Sequence, residues 1–189
     1  MMSSLIPALI SAAVAFVVLA ISQWVIFWRE RSRFLLAKLE DLYNLLLQLG
    51  ERNLRRFEPL VDAFQQEQDQ QHKQLEPQYR LTRNSFKQVK EANKLSFDQT
   101  YAIDLLERID LLVNFYFAQL GSDLERVFEA NRKCTEILRA GAPPIYGEVR
   151  EAAAAFGDSS AVIRKRILAE RPVLAKMFTG KFQAWFEES

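Results

Sequence analysis

Apolar residues run from Leu5 to Trp28 (LIPALISAAVAFVVLAISQWVIFW) without one charged side chain, interrupted only by Ser11, Ser22 and Gln23 among polar residues. From Arg29 onward the pattern changes to apolar positions every third or fourth residue. The first stretch has 24 residues. As a helix it reaches roughly 36 Å, enough for a hydrocarbon core of about 30 Å. With no water to satisfy backbone amides inside a bilayer, a single helix is the form such a segment takes. Pro7 falls in the first turn, where a missing N–H costs little.

Beyond the span, Leu35, Leu39, Leu42, Leu46 and Leu49 are spaced 4, 3, 4, 3, and Leu36, Tyr43 and Leu47 widen the stripe. That width suits a helix packed in a bundle better than the narrow seam of a parallel dimer. Gly50, Gly121, Gly141 and Gly157 each follow a periodic segment and predict helix ends. A second helix is expected from Glu51 to Gln74 with Leu54, Phe57, Val61 and Phe64 inward, and Pro59 as a kink or the true start. Its end, QQEQDQQHKQ at 65–74, has no apolar residue and predicts a solvated extension or a connection outside the core. Pro77 opens a third helix over 78–95.

Asp98 to Leu120 is the most hydrophobic helical pattern and predicts the central element. Tyr101, Leu105, Ile109, Leu112 and Tyr116 share one face, with Leu106, Val113 and Phe117 alongside. Ser122-Asp-Leu-Glu125 has the form of a capping box and opens a fifth helix to Ala140. Two or three shorter helices are expected near 145–156, 159–170 and 172–187, divided by Gly157-Asp158-Ser159 and by Pro172. No alternating pattern of useful length predicts a strand. The expected fold is all-α: one transmembrane helix continuing into a multi-helix bundle, with an anchor at 1–28 and a helical domain at 29–189.

Charge changes the picture at the flanks. Lys and Arg total 25 against 24 Asp and Glu, a net +1, so bulk electrostatics point to no polyanion partner. Yet Arg29, Arg31, Arg33 and Lys38 follow the span directly and no basic residue precedes it. The positive-inside rule then predicts an uncleaved inner-membrane anchor, N-terminus outside and residues 29–189 cytoplasmic. Trp24 and Trp28 would mark the cytoplasmic headgroup level. Ser4, Ala8, Ala12 and Ser11, Ala15 recur at spacing four, which permits close helix approach and a homo-oligomer. Ala is also simply common in membrane helices, and that reading is preferred.

One Cys and one His remove disulfide frameworks and Cys- or His-rich metal centres. His72 lies in the Gln-rich tract and reads as a solvated residue. Cys134 falls on the apolar face of the fifth helix with Leu124, Val127 and Leu138, and reads as a buried structural thiol. Asp104, Glu107 and Asp110 lie opposite the apolar stripe of their helix and read as a solvated face. No phosphate-binding glycine loop, nucleophile elbow or zinc-protease motif occurs. No catalytic residue, cofactor or metal ligand is expected.

The most ordered charge pattern is Arg80, Arg83, Lys87, Lys90 and Lys94, spaced 3, 4, 3, 4, with Leu81, Val89, Ala92 and Leu95 opposite. An ordinary solvated face explains it first. Contact with anionic lipid headgroups or an acidic cytoplasmic protein comes next, and nucleic acid is not expected without an interleaved aromatic platform. Leu174, Met177, Phe178, Phe182 and Trp185 form an aromatic face that would cover the bundle or meet the membrane interface.

KLEDLY at 38–43, directly after a membrane helix and its basic flank, and RIDLLVNFYFAQL at 108–120 resemble stretches of small bacterial single-pass membrane-anchored helical proteins, with Ala118 where those carry Pro. The resemblance implies a bacterial inner-membrane origin and brings no catalytic residue. The function expected is a non-enzymatic interaction or scaffold module at the cytoplasmic face. An oligomerising membrane effector that perturbs the bilayer, of toxin or defence type, is the alternative.

Overall fold

The computed structural model describes the backbone at residues 5–71, 76–96 and 99–187, and side chains at 10–70, 76–93 and 103–176. Among the described residues it is all-α, with five helices: α1 Leu5–Gln71, α2 Arg83–Ser96, α3 Gln99–Tyr116, α4 Gly121–Arg139 and α5 Tyr146–Glu187. A short 3-10 turn at Ala118–Leu120 joins α3 to α4. Two compact units are present, one of residues 1–39 and 168–189, the other of residues 40–167.

In the first unit, α1 is long and apolar enough at its N-terminal end to cross a membrane, and none of the described residues of that stretch is buried. Phe16 is 70% exposed and Leu19 60%. Side chains this apolar and this bare are costly in water and favourable in hydrocarbon. Past the stretch, buried Ser32 donates from Oγ to the carbonyl of Leu174 on α5, at 2.5 Å. The aromatic face expected at 177–185 and His72 both lie outside the described side chains.

The second unit is the bundle. Along α1 the buried positions are Leu42, Leu45, Leu46, Leu49, Asn53, Phe57, Leu60, Ala63, Phe64 and Glu67. From Leu42 onward this is one helical stripe that never changes phase, and it overturns the expected break at Gly50. A glycine costs a helix about 1 kcal/mol relative to alanine. Each fully buried Leu or Phe returns roughly 1.5–3 kcal/mol, so the stripe outweighs the glycine. Continuity also corrects the inward face of the second segment. Leu54 is 69% exposed and Val61 37%, whereas Phe57 and Phe64 are buried as expected. The phase is inherited from Leu42, Leu46 and Leu49, and it places Leu60 inward in place of Leu54 and Val61.

The same logic joins the two or three expected C-terminal helices into one. Val149, Ala152, Phe156, Ser160, Ile163 and Ile167 are buried at helical spacing straight through Gly157. Pro172 lies inside α5 and is exposed. The capping box at Ser122 is not formed. Gly121 is already helical (φ −56°, ψ −47°) and Leu120 is the N-cap without a side-chain bond. Instead Asp123, buried in the first turn of α4, complements the positive helix end and accepts a hydrogen bond from Arg166 on α5.

Helix α3 buries Leu105, Ile109 and Val113, and Phe117 and Leu120 follow them into the core. It is not the fully enclosed central element that its hydrophobicity suggests. Leu112 is half-buried, and Ile103, Leu111, Phe115 and Tyr116 are exposed. The most enclosed large side chains include Phe64 of α1, which meets the rings of Tyr79 and Tyr146 edge-on at 6.2 and 5.3 Å.

The segment 76–82 is not helical, correcting the expected start at Pro77. A turn at 77–78, closed by Tyr79 N–H donating to Glu76 O (2.9 Å), leads into an isolated antiparallel bridge between Arg80 and Ile145. Leu81 N–H donates to Pro144 O (3.1 Å), Tyr146 N–H to Tyr79 O (2.8 Å) and Gly147 N–H to Pro77 O (2.8 Å). A Cβ at position 147 would stand 2.8 Å from the Pro77 carbonyl oxygen, so this backbone approach requires glycine.

Candidate functional site

Of the expected interface residues, Trp24, Arg29, Arg31 and Arg33 are exposed and Trp28 is half-buried, the two indoles closing the apolar stretch of α1 and the arginines following it directly. Trp24 and Trp28 stack edge to face at 6.3 Å, and the Arg31 guanidinium sits 5.6 Å over the Trp28 ring. One helix therefore presents two indoles and then three cations on consecutive turns. Amphipathic indoles and basic side chains are the groups that anchor a helix at a headgroup layer.

The basic stripe is divided by the fold. Arg80 lies on the extended bridge before α2, so helical spacing does not reach it. Arg83 and Lys87 are exposed on α2. Lys90 is half-buried, its Nζ donating to the Ala140 carbonyl at the end of α4 and lying 4.9 Å over the Phe86 ring. It closes a helix C-terminus, where a cation is favoured by the dipole. The Lys94 side chain lies outside the described residues. On the opposite side Leu81 and Val89 are buried as expected, Ala92 is exposed, and Phe86 joins the core.

Asp104, Glu107 and Asp110 are all exposed on α3. They share that side of the helix with Ile103, Leu111 and Phe115, whose exposures are 59, 52 and 75%. Arg108 is exposed there too, so the face is mixed charged and apolar with acidic residues in excess, not merely solvated. Among the described residues no cluster of His, Cys, Asp or Glu could hold a metal ion. Cys134 is buried, with Sγ 3.5 Å from the Ala152 carbonyl, and burial pushes its thiol up to about 11. It is protonated at neutral pH and is not a nucleophile.

Two features escaped the sequence pattern. The first is Glu67, inside the tract that has no apolar residue. It is only 5% exposed. Its carboxylate accepts from Tyr79 Oη (2.8 Å), Thr82 Oγ1 (2.5 Å), Thr82 N–H (3.2 Å) and Ser85 Oγ (2.5 Å). Thr82 in turn caps α2 by accepting from Ser85 N–H at 3.3 Å. Glu67 thus ties the end of α1 to the start of α2. Burial alone would raise its pKa, but the hydroxyls of Ser85, Thr82 and Tyr79 hold the carboxyl below its ordinary value. The spacing 53, 57, 60, 64, 67 already put it on the inward face.

The second is a cavity of about 330 Å³ in the bundle, walled by α1, α3 and α4. Arg52 and Arg56 of α1 and Arg132 and Arg139 of α4 line it, with no Asp or Glu among the described residues that do. Asn53 Nδ2 donates to Asn131 Oδ1 at 2.9 Å, and Arg56 Nη1 reaches Thr135 Oγ1 at 3.5 Å. Burial first, and then the charges of Arg52 and Arg139, lower the Arg56 pKa below its ordinary value. A larger cavity of about 530 Å³ is mostly apolar and lies among Leu46, Leu54, Phe57, Cys134 and Phe156.

Comparison of the chain with protein families, with curated proteins and with solved structures finds no match.

Proposed function

We propose that this chain is a non-enzymatic interaction module held at the cytoplasmic face of a bacterial inner membrane by one N-terminal helix, N-terminus outside. The observation that carries the reading is the uncharged apolar stretch of α1, none of whose described side chains is buried, followed at once by Arg29, Arg31 and Arg33. Transfer of cations across a bilayer is strongly disfavoured, so the basic end stays cytoplasmic. A bacterial host making the full chain with alkaline phosphatase after Ser189 is expected to show no phosphatase activity, and a fluorescent cytoplasmic reporter at the same place is expected to be active. Phosphatase activity at that fusion reverses the topology.

The interaction surface that best supports the second half of the reading is the acidic-apolar face of α3. Exposed Phe115 and Leu111 offer area to bury, and Asp104, Glu107 and Asp110, against the single cation Arg108, favour a partner with basic residues in excess. A photo-crosslinking side chain at position 115 or 111 of the full chain in its membrane is expected to give a discrete adduct. The same group at exposed Gln88 is expected to give none. Equal labelling from all three positions removes the α3 face as a docking surface.

A further inference from the structure

We infer that the apolar groove of about 530 Å³ between α1 and α5 of the bundle binds one long-chain fatty acid, its carboxylate at Arg164. Two glycines keep this groove open. Gly50 on α1 and Gly157 on α5 both border it, each in the interior of its helix. Glycine in such a place costs a helix stability relative to alanine. The packing of the chain does not call for it, since an added Cβ would meet no atom within 4 Å at either position. What the two positions share is the groove itself, which side chains there would fill from both walls.

The dimensions select the occupant. The walls run from Leu46 to Phe57 on α1 and from Ala153 to Arg164 on α5, each roughly 16 Å long at about 1.5 Å per residue. Spread over that length, the volume leaves a section of roughly 30–35 Å². A helix, about 10–12 Å across with its side chains, needs roughly 80–110 Å². An extended peptide would bring backbone N–H and C=O groups against walls with few partners for them. One hydrocarbon chain fits, and 16 Å is about what an acyl chain spans in its half of a hydrocarbon core of about 30 Å.

The lining is apolar along the groove and polar at one end of the α5 wall. Leu46, Phe57, Cys134 and Phe156 are buried beneath it, while Leu47 and Leu54 beside it are 39% and 69% exposed. At the last position of the α5 wall Arg164 is half-buried, and its Nε donates to the Ser160 carbonyl at 3.1 Å. Ser160 borders the same space and is 5% exposed, and its hydroxyl has no hydrogen-bond partner among the described residues. A guanidinium and a hydroxyl side by side suit a carboxylate. Glu51 also borders the groove and is paired with Arg55 at 2.5 Å.

The test uses the full chain in phosphatidylcholine nanodiscs and palmitic acid carrying a mid-chain diazirine, with adducts mapped by peptide mass. Saturable adducts that unlabelled palmitate displaces are expected within 46–57 and 153–164. Gly157→Leu should lower them about tenfold, as a side chain filling the groove removes the burial of methylenes. Labelling of residues 5–28 from probe dissolved in the bilayer should stay unchanged, so membrane contact and groove binding are read separately. The double variant Gly50→Ala/Gly157→Ala should melt higher than the parent without ligand yet label more weakly, a pair of results that misfolding does not give. Methyl palmitate should compete about tenfold less well than palmitate in the parent, and equally well in Arg164→Gln, if the guanidinium holds the carboxylate. Absence of saturable groove adducts, groove labelling that survives Gly157→Leu, or equal competition by acid and ester in the parent overturns the assignment.

Discussion

Glu67→Ala is expected to destabilise the full chain by roughly 3–5 kcal/mol. The substitution removes the acceptor of Tyr79 Oη, Thr82 N–H, Thr82 Oγ1 and Ser85 Oγ together. Hydrogen bonds to a charged group contribute about 1.5–3 kcal/mol each, and donors left buried add their own desolvation cost. Glu67→Gln should lose less, because one amide oxygen still accepts while the NH2 group confronts the remaining donors. The effect carries a pH signature. The folded pKa of Glu67 lies below its ordinary value, so its contribution is complete above the unfolded carboxyl value of about 4.3. It is lost as pH falls through the folded value. Denaturant unfolding in neutral detergent should therefore show the gap between parent and Glu67→Ala at pH 7 and a narrowing gap below about pH 4. A gap that stays constant with pH means that Glu67 acts by packing alone.

The second large effect belongs to the core of α3. Leu105 and Ile109 are 2% and 0% exposed. Each is expected to cost about 2–5 kcal/mol on replacement by alanine, combining lost burial with the cavity left behind. Leu112 shares their face by sequence but is half-buried, and Leu112→Ala is expected to cost only about 1 kcal/mol, less area being removed from water. The same unfolding assay, run side by side, checks the order. Equal losses at all three positions would mean that α3 is enclosed on every side, and the exposed face around Phe115 would lose its role.

Leu105, Ile109, Val113, Cys134 and Val127 were legible as core because each sits on a strong stripe within one uninterrupted helix. The Arg29, Arg31 and Arg33 flank was legible because it needs no tertiary partner to be recognised. Leu54 and Val61 read as inward from the sequence only because a boundary at Gly50 lets the helical phase restart. Arg52 and Arg56 were overlooked for a different reason. A single helix shows two basic residues one turn apart, and only packing against α4 brings Arg139 to the same space.

The sequence by itself determined the helical class, the apolar stretch of Leu5 to Trp28 and the buried positions Leu105 and Ile109 of α3 and Leu124, Val127, Cys134 and Leu138 of α4, because periodicity and charge act locally along the chain. Tertiary structure decided where helices continue and what buried polar groups do. Gly50 and Gly157 are spanned because packing energy on both sides exceeds the local cost of glycine. Glu67 is buried rather than solvated because Tyr79, Thr82 and Ser85, distant by 12 to 18 positions, supply the donors that a carboxylate needs on leaving water.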